Sequence, residues 1–330
     1  MMKIMLYILL MMSTILTMSS DNWLGIWMGF EMNLVLFIPI IHKSKSASSS
    51  ESCMMYFLVQ SLGSILMLIS VLNSPLVMVS PIVISYLMST VLMTSMMIKL
   101  GIPPFHLWFP ELLNKMTWQK GLILMTWQKL APLTVLSYMI HKMEFLPMIV
   151  MTSVMVGAIS GLNQTSIRKI LGFSSINHMG WMIACMKLNN QLWLNYLMLY
   201  SIILTMLVYM LSLTSTFFIN QLMMANHNNT TKFLMLSLFL SIGGLPPFIG
   251  FLPKWMVIKT MIIINSYTTL FVMILSSLIT LFYYLRIISS TLIINSMMMK
   301  WANKSLINKN MIMMFILLNL SLPLTAIISF

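Results

Sequence analysis

Gly101-Ile102-Pro103-Pro104-Phe105 and Gly244-Leu245-Pro246-Pro247-Phe248 are one phrase set twice into long apolar stretches. A lysine lies close to each, Lys99 in the first case and Lys254 in the second. Proline has no backbone N–H and its ring clashes with the carbonyl one turn back, so both phrases must interrupt a helix. In hydrocarbon, backbone groups freed this way are tolerable only where protein or a water-filled cavity satisfies them. Interrupted helices at matching places in two halves of a chain mark a transport site near the bilayer midplane. Lysines at that depth make the movement of charge the natural business of such a site.

The surrounding composition agrees. Of 330 residues, 59% are hydrophobic and 7% charged, with a mean hydropathy of +0.95. About a quarter of a typical soluble domain is charged, so this chain could not cover a water-facing surface. The expected fold class is all-α, a polytopic membrane protein. A transmembrane barrel would show short alternating segments in place of these continuous apolar runs. Lys and Arg total 18 against five Asp and Glu, a net charge of +13. Those charges scatter through short loops, which reads as the positive-inside signal and attraction to anionic phospholipid, with no nucleic acid as partner. Cys53 and Cys185 stand far apart, and no His/Cys cluster or Gly-rich phosphate loop occurs. No metal, iron–sulfur or nucleotide site is therefore expected, and any redox chemistry must sit on another polypeptide. Only Lys3 precedes the first apolar span, without an Arg- and Ser-rich presequence. The 41 methionines resemble translation of an AT-rich organellar genome in which extra codons specify Met.

At about 20 residues per span, the sequence predicts about eleven transmembrane helices, at roughly 2–19, 24–41, 54–73, 78–109 (broken), 117–140, 145–163, 170–187, 193–219, 232–264 (broken), 266–293 and 311–329. One side then receives Lys43, Lys45, Lys115, Lys120, Arg168, Lys169, Lys232, Lys300, Lys304 and Lys309, and the other Lys142 and Lys187. That asymmetry places the N-terminus in the compartment of synthesis. The broken spans are the fourth and the ninth. An odd offset of five turns the second copy upside down, the plan of two inverted five-helix repeats each with a Pro-broken helix. The expected organisation is a single membrane domain, 1–330, with pseudo-repeats near 24–163 and 170–293.

Six residues carry the chemistry. Glu31, in Gly29-Phe30-Glu31-Met32-Asn33, lies mid-span, where a carboxylate costs about 2.5–3.5 kcal/mol unless paired or hydrated. It either partners a polar neighbour such as Asn33 or takes part in transport. Lys99 precedes the first break, and Phe105, Leu107, Trp108 and Phe109 carry the apolar character past it, so it is expected to face the gap rather than snorkel. Burial and a nearby carboxylate act on a lysine's proton in opposite senses; movement of Glu31 relative to Lys99 is expected to load or unload a proton. Lys129, beside Pro132, lies too deep to reach the interface. Lys254 either lines the second break or sits at an interface with Trp255 as a belt residue. His106 and His178 suit a proton wire, since a neutral imidazole accepts at one nitrogen and donates at the other; each suits a helix-to-helix hydrogen bond equally well. His42, His141 and His227 fall in loops. The tripeptide Trp118-Gln119-Lys120 recurs as Trp127-Gln128-Lys129, the first read as an interfacial anchor and the second as the buried site.

Taken in order, Gly29-Phe30-Glu31-Met32-Asn33, Lys99-Leu100-Gly101-Ile102-Pro103-Pro104-Phe105-His106-Leu107-Trp108, Trp127-Gln128-Lys129-Leu130-Ala131-Pro132, Ser174-Ser175-Ile176-Asn177-His178-Met179-Gly180-Trp181 and Gly243-Gly244-Leu245-Pro246-Pro247-Phe248 with Phe251-Leu252-Pro253-Lys254-Trp255 resemble the subunit 2 family of mitochondrial NADH–ubiquinone oxidoreductase. Small size and abundant Met resemble an arthropod version. The resemblance implies an antiporter-like fold of two inverted five-helix repeats in the mitochondrial inner membrane, shortened by three helices from bacterial relatives of about fourteen. It implies a Glu31–Lys99 charge pair, Lys129 as central relay, Lys254 on the second half-channel and His178 bridging the axis. Asn177 departs from the smaller residue expected before the histidine. NADH, FMN, iron–sulfur clusters and ubiquinone would lie on or between other subunits, and the partners would be other membrane-arm and accessory subunits and phospholipids.

The leading expectation is a proton-translocating subunit of a redox-driven pump. Moving one charge against 100 mV costs about 2.3 kcal/mol, which demands an external driver. A stand-alone cation/proton antiporter is the alternative, opposed by an axis of lysines with Glu31 as its only carboxylate. A purely structural spacer is the third.

Overall fold

The structure, a computed structural model, describes residues 2–42, 46–73, 81–140, 145–187, 190–224, 229–294 and 309–321. Lys43, Lys45, His141, Lys142, His227, Lys300 and Lys304, and the stretch 322–329 of the last expected span, lie outside the described residues. Among the described residues the chain is almost wholly helical, with one isolated antiparallel bridge between Ser166 and Phe218.

Two compact units divide the chain at Leu146 and Pro147. The first holds α1 (Met2–Ser19), α2 (Trp23–Ile41), α3 (Ala47–Leu72), α4 (Pro81–Leu100), α5 (Trp108–Lys115), α6 (Trp118–Met125) and α7 (Trp127–Met139). The second begins with α8 (Leu146–Gly161), α9 (Ile167–Met186), α10 (Asn190–Thr214) and α11 (Ile219–Met224). It continues through α12 (Asn229–Gly243), α13 (Phe251–Ile263), α14 (Tyr267–Ile294) and α15 (Lys309–Asn319). The sequence places 145–163 at the end of the first pseudo-repeat; in the structure nearly all of α8 packs within the second compact unit. The reason is a close crossing: a Cβ on Gly157 of α8 would meet the backbone nitrogen of Asn177 in α9 at 2.6 Å, and one on Gly180 would meet Ser153 Oγ at 2.4 Å. Small residues let helix backbones approach where no water drives them together.

Among the described residues four helices are long and apolar enough to cross a membrane, namely Trp23–Ile41, Ala47–Leu72, Asn190–Thr214 and Tyr267–Thr291, with shorter apolar helices in addition. Their faces are inverted relative to a soluble protein. On α2, Gly29, Phe30, Asn33 and Phe37 are buried, whereas Met28, Met32 and Val35 lie exposed. Helix α9 solves the problem differently. All of it except Arg168 and Lys169 is buried, so Ser174, Asn177 and His178 are surrounded by protein and the helix needs no apolar exterior.

Both Pro-Pro phrases break their helices in the same local way. Gly101 and Gly244 take the left-handed conformation, φ 69° and 80°, which a side chain would disfavour. The next residue then reaches back five positions, Ile102 N–H to Met97 O at 3.0 Å and Leu245 N–H to Leu240 O at 3.3 Å, the Schellman way of satisfying terminal carbonyls. A turn follows, closed by Phe105 N–H to Ile102 O at 2.9 Å and Phe248 N–H to Leu245 O at 3.1 Å.

A further interruption lay outside the sequence reading. The expected continuous span 117–140 divides at Thr126 (φ −117°, ψ −73°) into α6 and α7. Thr126 supplies the cause: its hydroxyl and its N–H both donate to Leu122 O, at 2.7 and 3.0 Å, and such back-bonding bends helices. Pro132, which cannot donate to Gln128 O, loosens the following turn. The expected span 193–219 also ends early, because Ser215 turns left-handed (φ 48°).

Candidate functional site

The first break leaves the last carbonyls of α4 without partners inside the helix. Met97 O and Ile98 O accept from Ile102 and Gly101; Lys99 O accepts from Gln60 Nε2 of α3 at 3.1 Å. Gln60 is a lone amide in an otherwise apolar span, a signal the sequence reading passed over. The Lys99 side chain, 6% exposed, places its ammonium 3.6 Å from the centroid of Phe30 on α2, a cation–π contact favoured by desolvation.

Lys129 lies in the first turn of α7, just past the Thr126 interruption, and is 3% exposed. Its ammonium stands 5.4 Å from the ring of Phe109, the second residue of α5. Beside it, Gln128 donates to Asn33 Oδ1 at 2.9 Å and so ties α7 to α2. Lys99 and Lys129 line the same cavity, of about 20 Å³, together with Asn33, Gln60, Gln128, Phe30, Phe109, Trp108 and Pro132. A water requires roughly 10–15 Å³ by this measure, so the cavity that both lysines line has room for about one. The amides supply the donors and acceptors such a water needs.

Glu31 is half-buried on α2 and forms no ion pair with Lys99; among the described residues the ion pair is Lys115–Glu51, at 2.6 Å and largely exposed. His106 is half-buried within the break, its Nδ1 without a hydrogen-bond partner among the described residues. At the expected anchor, Trp118 is buried and Lys120 donates to Ile41 O at 2.8 Å, capping α2.

In the second unit Lys254 is 4% exposed, which removes the interfacial-belt alternative. Its ammonium donates to Gly243 O at 2.8 Å, at the end of α12. A cation at a helix C-terminus gains from the macrodipole as well as the hydrogen bond. The two breaks thus satisfy a freed carbonyl with different side chains, Gln60 in one and Lys254 in the other. Lys254 also lies 5.8 Å from the ring of Trp181, one turn beyond His178 on α9.

His178 shares a 2.8 Å hydrogen bond between Nδ1 and Tyr196 OH, and its ring packs on Tyr200 at 4.8 Å. Asn177, the departure from the expected motif, donates to Val154 O at 3.0 Å and leaves His178 to the tyrosines. Tyr196 and Tyr200, four apart on α10, escaped the sequence reading because a tyrosine in a span reads equally well as a belt residue.

The profile of the family described as NADH:quinone oxidoreductase/Mrp antiporter, TM, matches residues 20–280. NADH-ubiquinone oxidoreductase chain 2 of Locusta migratoria is 40% identical, covering 99% of this chain and 94% of its own length. The chain 2 protein of Anopheles gambiae is 41% identical, covering 92% and 90%. Among solved structures, a chain of respiratory complex I from Thermus thermophilus superposes with a TM-score of 0.78 at 21% identity, over 87% of this chain and 69% of that one; this likeness speaks to the fold.

Proposed function

The chain belongs to the NADH:quinone oxidoreductase/Mrp antiporter membrane family, and on that footing we propose how it works. It is a proton-translocating membrane-arm subunit of NADH–ubiquinone oxidoreductase in the mitochondrial inner membrane, and its partners are other subunits of that complex. In finer detail, about eleven spans form two inverted five-helix repeats, with the N-terminus in the matrix, where the cation-rich loops lie. NADH oxidation, flavin, iron–sulfur and quinone chemistry belong to other subunits, and none of these groups is held by this chain. Accessory subunits and anionic phospholipid surround it.

One observation carries the reading: Lys99 and Lys129, both buried, share a cavity that also takes in Asn33, Gln60 and Gln128 and has room for about one water. A proton held by one ammonium can pass through that water to the other amine, one N–H bond breaking at the donor as one forms at the acceptor. Redox-driven shifts of Glu31 and its neighbours bias the direction; His106 is a side station in the first unit, and Lys254 and His178 carry protons within the second. A sodium antiporter fits less well, because the cavity lining holds no carboxylate and hard cations prefer oxygen ligands. The test is proton pumping by the assembled complex in liposomes with Lys99→Met and, separately, Lys129→Met. Loss of NADH-driven acidification is expected in both; full pumping by both would remove the reading.

A further inference from the structure

The turn that carries Lys129 is poorly held by its own backbone. Behind it, Thr126 leaves the helical conformation (φ −117°, ψ −73°) and divides α6 from α7. Ahead of it, Pro132 has no N–H to offer, so Gln128 O receives no bond from the residue one turn on. Trp127, Gln128 and Lys129 stand between these two defects, and Lys129 N–H donates to Thr126 O at a long 3.3 Å. A relay that works through one water tolerates little error, because a displacement of about 1 Å can cost about a hundredfold in rate. Something other than the local backbone must fix the place of Lys129.

Two side chains do so by reaching the same neighbour. On the α7 side of the interruption, Gln128 Nε2 donates to Asn33 Oδ1 of α2 at 2.9 Å. On the α6 side, Lys120 Nζ donates to Ile41 O at the end of α2, at 2.8 Å. Eight residues separate the bonds along each segment, Asn33 to Ile41 and Lys120 to Gln128, about 12 Å of helix at 1.5 Å per residue. The order is reversed, so α2 runs antiparallel to the broken pair and in register with it across Thr126. Helix α2 itself continues unbroken from Trp23 to Ile41, past Pro39. It also holds the other lysine. Phe30, whose ring carries the Lys99 ammonium at 3.6 Å, lies three residues before Asn33 on the buried face of α2. Gly29 packs on α1 closely enough that a Cβ there would strike Thr17, which seats α2 independently of α7.

We propose that α2 is a splint for the interrupted α6–α7 segment, and that Asn33 and Gln128 are positioning residues whose hydrogen bond keeps the Lys129 amine on the wall of the cavity it shares with Lys99. The inference rests on the proton-translocating reading above and adds to it the residues that set its geometry. Neither amide carries the proton. Gln128 precedes Lys129 directly, so a bond that anchors the one fixes the backbone of the other. Because Phe30 and Asn33 share one face, a slide or turn of α2 moves the aromatic support of Lys99 and the anchor of Lys129 together. The two amines then keep their spacing as the helix moves. With the amide bond released, α7 hinges at Thr126 and Lys129 leaves the cavity wall.

The experiment uses the whole complex reconstituted in liposomes, with NADH-driven proton uptake and NADH oxidation recorded per assembled complex. Asn33→Leu and Gln128→Met each remove one half of the amide pair at nearly constant volume. Each is expected to lower coupled turnover about tenfold, less than the roughly hundredfold that a full 1 Å displacement can cost. The residual turnover should gain a solvent deuterium isotope effect as proton transfer becomes the slow step, which a packing defect would not produce. The combined variant should fall no further, because both changes break one bond and partners in contact are not additive. The exchange Asn33→Gln/Gln128→Asn keeps the length of the pair with its donor and acceptor, and should recover most of the wild-type turnover. Met32→Leu, on the exposed face of α2, should leave turnover unchanged. Wild-type turnover by both single variants overturns the splint. Losses that multiply in the combined variant overturn it too, since each amide would then hold water by itself, as does an exchange variant no better than the single ones. Should the single variants fail to assemble, Asn33→Ser, whose hydroxyl ends one bond short of Gln128, carries the test: a loss supports the splint and wild-type turnover overturns it. Lys129→Met separates the two levels: if it stops pumping while the amide variants pump normally, the splint alone is wrong, and if it too pumps normally, the proton-translocating reading falls with it.

Discussion

Replacing Lys129 by methionine removes the ammonium while keeping a flexible apolar chain of similar length. The side chain is 3% exposed and lines a cavity with room for about one water. Little structural damage is expected, because exchanging a buried ion for a well-packed apolar residue is often neutral or stabilising. The functional cost is different. Without the amine, a proton crossing this point must ride on the water itself. A charge at the centre of a span costs about 2.5–3.5 kcal/mol, which at 1.36 kcal/mol per factor of ten is roughly 70- to 400-fold in occupancy. Coupled turnover is therefore expected to fall by about two orders of magnitude, down to whatever leak the rest of the complex allows. The assay is NADH:quinone turnover together with proton uptake by liposomes, normalised to assembled complex on native gels. Full turnover with full proton uptake, at normal assembly, would refute the relay.

Lys254 separates structure from transport. Lys254→Met should lower both assembly and pumping, since losing a hydrogen bond to a charged donor at Gly243 O costs about 1.5–3 kcal/mol. Lys254→Arg should restore assembly without pumping, because a guanidinium can cap the carbonyl but does not release its proton; pumping by the Arg variant would exclude a relay at this position. Gly157→Ala should weaken the α8–α9 crossing by about 1–3 kcal/mol, the usual cost of overpacking, seen as a lower thermal midpoint of the assembled complex; an unchanged midpoint would mean the helices separate freely. Glu51→Gln, which breaks the exposed pair with Lys115, should change stability by less than about 1 kcal/mol and leave pumping intact, checked in the same melts and liposomes.

The two main breaks were legible because Pro-Pro after Gly leaves a helix no way to continue, and the structure interrupts α4 and α12 at Gly101 and Gly244. The Thr126 interruption was not legible: threonine is common in membrane helices, and only the three-dimensional donation to Leu122 O shows that it bends this one. Depth was readable for Lys99 and Lys129, which are flanked by long apolar runs. For Lys254 it was not, because Trp255 beside it fits an interface as well as an interior; the buried bond to Gly243 O decides the matter. The polar residues that furnish the sites were hardest to see. Gln60, Gln128 and the tyrosines of α10 converge from separate helices, and no spacing along one helix announces such a meeting. Glu31 was read for its charge, but its half-exposed place on α2 keeps it out of an ion pair with Lys99.

The most direct measurement is a map of the assembled complex at a resolution that shows waters. Ordered water bonded between the amines of Lys99 and Lys129, held by Asn33, Gln60 or Gln128, is the expected result. A cavity closed by packed side chains in both resting and turning-over complex would contradict proton passage between the two lysines.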